Sequence, residues 1–186
     1  NGFTGGLTKY FNPAIFNYTM SKRYDSSVNK YEPVENMVYL YKLHGSINWV
    51  EEEKSVNRYF TIREITAQKD KPKSPVMIYP TPIKQNKSLG APYVDLFREF
   101  QHKLLEPNSV LFVLGYSFSD EHINDIIYRA LATNSTLTLV VINRLDESKT
   151  ICTIDDSRIF RIWSEETDDK FNDNIYLFKN FVEKLL

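Results

Sequence analysis

The chain has 186 residues, with 23 basic and 24 acidic side chains, 42% hydrophobic and 14% aromatic content, and a single cysteine. That length suits one globular domain or a piece of something larger, and no apolar run approaches the ~20 residues a membrane-spanning helix needs. A formal charge of −1 gives no general attraction for nucleic acid or anionic lipid, and a lone Cys152 builds neither an internal disulfide nor a cysteine zinc site, so a cytoplasmic setting is the default.

The opening residues, Asn1-Gly2-Phe3-Thr4-Gly5-Gly6, carry neither a start methionine nor an export signal, and the chain reads as starting part-way through a longer sequence. Residues 4–36 are rich in aromatics without a sustained period, which predicts an irregular segment with room for one short helix. Residues 37–43 have high β-propensity and predict a strand stopped by His44-Gly45-Ser46, with 47–50 resuming in the same style. Charge clusters from Glu51 to Lys73 surround one β-like run, 56–62, so a charged inserted hairpin or loop is expected over about 51–75. Residues 75–79 predict a short strand, followed by a polar loop to Pro92.

Beyond Pro92 the pattern is regular. Tyr93, Phe97, Phe100 and Leu104 recur at helical spacing. Residues 110–114 form an apolar strand closed by Gly115, and Ile123, Ile126, Ile127, Ala130 and Leu131 mark a second amphipathic helix. An apolar strand at 136–142 ends at Asn143, a further strand is expected at 158–163, and Phe171, Ile175, Phe178, Val182 and Leu185 predict a last helix. Fully apolar strands alternating with helices imply an α/β fold with a mostly parallel sheet, helices on both faces and a small β-rich insertion.

In open α/β sheets, ligands bind beyond the carboxyl ends of the strands. Three such ends carry chemistry. His44 carries an imidazole that could exchange a proton with a sugar hydroxyl, or it could be a satisfied core histidine. Gly115 lets backbone approach a ligand closely, and Ser117 with Asp120 has the spacing of a capping box opening the next helix, whose N-terminus suits a phosphate. Ordinary turn chemistry explains the same residues. Asn143 offers an amide to a ribose hydroxyl or to its own loop. His102 and His122 lie within predicted helices with no metal-ligand partner at helical spacing, and read as non-ligands.

Together these motifs resemble a family. Lys42-Leu43-His44-Gly45-Ser46, the run Gly115-Tyr116-Ser117-Phe118-Ser119-Asp120-Glu121-His122-Ile123 opening a helix, and Val141-Ile142-Asn143 closing a strand are similar to ordered motifs of the sirtuin-like proteins. With Ile78-Tyr79-Pro80-Thr81-Pro82 added, they resemble the bacterial branch whose members hydrolyse NAD in antiphage defence. The resemblance runs from about Gly2 to Asn143 and implies a Rossmann-like sheet with a smaller inserted module. It makes His44 the catalytic histidine, sets Gly115 and Ser117 near the NAD phosphates and ribose, and gives Asn143 the adenosine ribose. Asp120 is left to cap the helix or reach a ribose hydroxyl, with capping favoured.

Two departures refine this expectation. Deacylating sirtuins carry a four-cysteine zinc ribbon after the histidine motif, whereas residues 51–73 hold no cysteine, so no zinc is expected and lysine deacylation is disfavoured. The family's phosphate-cradling Gly-Ala-Gly-x-Ser loop and its Thr-x-Asn motif precede the histidine motif, and neither occurs in residues 1–43. The chain is therefore expected to be one sirtuin-like domain lacking its N-terminal strands, with a weakened NAD site on its own. The expected function is NAD hydrolysis to nicotinamide and ADP-ribose in the whole protein, with NAD as substrate and a homo-oligomer or further domains as partners. A non-catalytic sensor of NAD or ADP-ribose, or an assembly domain, are the alternatives.

Overall fold

The computed structural model describes residues 1–17, 21–27, 30–33, 38–52, 61–65, 75–78, 90–143, 145–162, 179 and 183. The chain divides into two compact units, Asn1–Phe100 and Gln101–Leu186.

The first unit is built on aromatic packing. Its elements are β1 (Phe3–Thr4), β2 (Lys9–Phe11), a 3-10 helix (Pro13–Asn17), the hairpin strands β3 (Ser21–Asp25) and β4 (Lys30–Pro33), β5 (Trp49–Glu51) and β6 (Ile62–Glu64). β1, β2, β6 and β5 form an antiparallel sheet in that order, with Tyr10 opposite Arg63 and Val50 opposite Arg63. Phe11, Phe16, Trp49, Ile62 and Leu96 make the core. Trp49 is 1% exposed, and its ring meets Phe3 at 5.0 Å and Phe11 at 6.1 Å. Among the described residues, Phe3, Phe11, Phe16, Tyr39, Tyr41 and Trp49 thus serve as core filling, the role large rings most often take.

Several expectations for this unit need correction. Residues 4–36 hold strands and a hairpin instead of an irregular segment. Strands of two or three residues are too short to show a period and exist only through distant partners, as in Lys9 opposite Glu64. The strand expected at 37–43 does not form over its described part, 38–43. Tyr39 and Tyr41 pack on Phe16 while Val38 and Leu40 face outward. The segment is extended and alternates as a strand would, but it lacks a ladder. Residues 75–78 likewise contribute one isolated bridge, Gly45 to Met77, in place of a strand. In the charged stretch, 53–60 and 66–74 lie outside the described residues. What is described is integral to the sheet, since Ile62 is a core residue and Glu52 pairs with Arg63 and accepts from Tyr10 Oη.

A helix, α1 (Tyr93–Leu105), follows as its spacing predicts. The second unit then contains β7 (Val110–Leu114), α2 (Glu121–Thr133), β8 (Thr138–Ile142), the single turn α3 (Thr150–Thr153) and β9 (Ile159–Ile162). The three strands are parallel in the order β7-β8-β9, with Phe112 opposite Val140 and Val140 opposite Phe160. Fold class is therefore mixed α/β: a three-stranded parallel sheet with helices, and a small antiparallel sheet of four strands. Of the predicted last helix only Lys179 and Glu183 are described, and both are helical.

Leu139, Val140, Val141 and Ile142 of β8 are all buried, so the central strand is covered on both faces as its apolar run requires. The flanking strands differ. Phe112 is 47% and Phe160 53% exposed, with Val110 and Leu114 also exposed, so one face of the outer strands is open where coverage on both faces was expected. At the amino end of the sheet, Asn134 ties the elements together. Its Nδ2 donates to the carbonyls of Leu104 at 2.8 Å and Glu106 at 3.0 Å, its Oδ1 accepts from Thr136, and its own carbonyl accepts from Arg158 Nη1 at 2.9 Å.

Candidate functional site

The carboxyl end of β7 leads into a loop whose backbone is unusual twice. Gly115 takes φ 69° and Phe118 takes φ 52°. The first is natural for glycine; the second costs an L-residue roughly 1–2 kcal/mol. The space a Cβ would fill at Gly115 is open to 4 Å, so its conformation and not crowding demands glycine. Phe118 holds its strained backbone because its ring is buried against Tyr116, 4.9 Å between centroids.

Hydrogen bonds complete the frame. Tyr116 Oη lies 3.0 Å from the Asp120 carbonyl and 2.9 Å from Asn124 Oδ1, so its single proton serves two acceptors. Asn124 Nδ2 donates to the Phe118 carbonyl at 3.0 Å, and Asn143 Nδ2, from the end of β8, donates to the Tyr116 carbonyl at 2.9 Å. Burial pushes the Tyr116 hydroxyl up to about 12, against the opposing hydrogen bond to Asp120. It is a donor at neutral pH and not a base.

Asp120 is the N-cap of α2. Its Oδ1 accepts from His122 N at 3.1 Å and Ile123 N at 3.5 Å. The capping role favoured for Asp120 is the one observed. The capping box expected from Ser117 does not form, because the helix begins at Glu121 and Ser117 sits outside it. The carboxylate takes two of the amides that a phosphate at this helix N-terminus would use. What the loop presents outward is Ser117 and Ser119, both exposed, with Ser117 Oγ donating to Ser119 Oγ at 3.2 Å and Lys149 Nζ to the same oxygen at 3.0 Å.

The structure therefore brings Gly115, Ser117 and Asp120, after β7, and Asn143, after β8, to the carboxyl end of one sheet. His44 belongs to the first unit, and it lies in a turn closed by Gly45 N donating to the Lys42 carbonyl at 2.9 Å, not at the end of a strand. Gly45 has φ 80°, and a Cβ there would strike the Val76 carbonyl. The turn is pinned on both sides, by Ile78 N donating to the His44 carbonyl at 2.8 Å and Ser46 N to the Val76 carbonyl at 3.1 Å. Lys42 Nζ reaches Ser46 Oγ at 2.9 Å, and Ser46 Oγ reaches Asn48 Oδ1 at 2.6 Å. His44 is thus carried on a fixed loop.

A histidine loop, a glycine-serine strand end and an asparagine strand end occur here in one order along the chain. The SIR2-like domain model matches residues 8–160, which covers all three. The chain belongs to the SIR2-like domain family. No curated protein matches it in sequence. Membership of the SIR2-like family implies NAD-related chemistry, and the match runs through both compact units. Sequence reasoning did not single out Tyr116, Asn124 or Lys149 for the SIR2-like strand-end loop. Asn124 stands at i+4 from the helix cap and could have been suspected as a second loop brace; the Lys149 contact spans 30 positions and leaves no local signal.

Proposed function

We propose that this SIR2-like chain is part of a NAD-hydrolysing domain that releases nicotinamide and leaves ADP-ribose, acting in bacterial antiphage defence by NAD depletion. The observation that carries the nucleotide part is the braced loop 115–120, whose open glycine and outward hydroxyls sit at the carboxyl end of a parallel sheet, where such folds bind nucleotides. Gly115 would admit the nucleotide backbone, Ser117 would donate to its oxygens, and Asn143 would hold the loop in register. The defence setting rests on the resemblance of the motifs to the bacterial branch.

Cationic nicotinamide leaves the ribose neutral, with the bonding electron pair, so its departure needs no general acid. Water adds to the ribose carbon and gives up a proton. His44 is the group proposed to accept that proton or to orient the water through its imidazole. Nicotinamide release by the whole protein, measured against a His44→Ala variant, tests this directly: turnover should disappear, and wild-type turnover in the variant would overturn the assignment.

A second reading is a sensor that binds NAD or ADP-ribose without consuming it. It is favoured by the strand-end loop itself, in which Tyr116 stays protonated and Asp120 is committed to capping, so the loop supplies binding groups and no base. Affinity for ADP-ribose with no nicotinamide release from NAD would establish that reading.

A further inference from the structure

Lys149 is half-buried, yet its ammonium meets a neutral hydroxyl, Ser119 Oγ at 3.0 Å. Among the described residues no carboxylate lies within ion-pair distance of it. Several cations among the described residues are matched by carboxylates, Arg63 with Glu52, Arg98 with Asp95, Lys103 with Glu106 and Arg158 with Asp156, whereas Lys42 meets a hydroxyl, Ser46 Oγ, and Arg161 meets backbone carbonyls. An ammonium keeps three donors, and among the described residues one is used here. Ser119 Oγ accepts from both Lys149 and Ser117, which leaves its own proton to point elsewhere. Two hydroxyls and an uncompensated positive charge, set on a loop whose backbone is locked by Tyr116, Asn124 and Asn143, form a corner for a compact anion. Asp120 has taken the helix amides, so the charge that holds an anion at this strand end has to come from a side chain.

Resting on the nucleotide reading above, we propose that Lys149, with Ser117 and Ser119, grips a phosphate group of the bound nucleotide. NAD and ADP-ribose offer that group as the diphosphate that joins their two riboses.

The test is calorimetric titration of the full chain, as wild type, Lys149→Met and Lys149→Arg, with ADP-ribose, adenosine and inorganic pyrophosphate. Loss of one charge-assisted contact should weaken ADP-ribose and pyrophosphate about tenfold in Lys149→Met, with adenosine unchanged and most of the affinity kept in Lys149→Arg. Equal weakening of adenosine would make Lys149 structural and overturn the proposal, as would ADP-ribose binding that ignores Lys149→Met while the nucleotide reading stands. A wild-type chain that binds neither ADP-ribose nor adenosine sinks both.

Discussion

At the residue scale, Tyr116 carries a disproportionate share of the strand-end loop. Its ring supports Phe118, its carbonyl receives Asn143, and its hydroxyl bridges the Asp120 carbonyl and Asn124. Burial is the main reason its hydroxyl is held up to about 12, from an ordinary value of 10.0. The folded state therefore prefers the protonated phenol. Its stabilising share is fully present below pH 10 and is lost as pH rises towards about 12. Tyr116→Phe removes both the hydrogen bond and the titration. The variant should be less stable at pH 7 by about 1 kcal/mol and should lose less stability than wild type between pH 9 and 11, read by urea unfolding at each pH. Parallel pH curves for the two proteins would show that the hydroxyl is not held in this way.

At the scale of elements, the two ends of the parallel sheet divide structural bracing from the proposed site. Asn134 joins the end of α2 to the end of α1 and the start of β8 through four side-chain contacts, whereas the opposite end holds the glycine, serines and Asn143. Asn134→Ala should cost about 2–3 kcal/mol, given net values near 1 kcal/mol per bond and incomplete additivity. Its affinity for ADP-ribose, measured well below the unfolding midpoint, should match wild type; weaker binding by a fully folded variant would undo the division. The same asymmetry explains what the sequence made legible. β7, β8, β9, α1 and α2 announce themselves because five apolar residues or a helical stripe suffice locally. β1, β2, β5 and β6 are two or three residues long and exist through pairing with distant partners. Residues 38–43 alternate as a strand does, but a strand also needs a ladder, and none is offered there. At the site, Gly115, Asp120 and Asn143 were legible as the residues that follow apolar runs. The braces were not, because the positive φ of Phe118 alone swings its carbonyl to Asn124, and no local pattern encodes that turn.

At the scale of the whole molecule, the two compact units have chemically different cores. The first is aromatic, centred on Trp49 with Phe3, Phe11 and Phe16 around it. The second is aliphatic, with Leu137, Leu139, Val141, Ile142 and Ile151 fully buried. Separate cores need not melt together, and a chain with two of them departs from all-or-none unfolding. Leu139 is 0% exposed on the central strand, and truncating such a leucine typically costs 2–5 kcal/mol, because the cavity adds to the lost burial. The chain has two tryptophans, so a Trp163→Phe background leaves Trp49 as the single indole reporter of the aromatic core. In that background, Leu139→Ala should bring forward the loss of helical circular dichroism in urea, since α2 packs Ile127, Ala130 and Leu131 into the second core. The Trp49 fluorescence midpoint should stay where it was. If fluorescence and circular dichroism shift together by the same amount, the two units fold as one cooperative body, and the partition of stability between an aromatic and an aliphatic core is wrong.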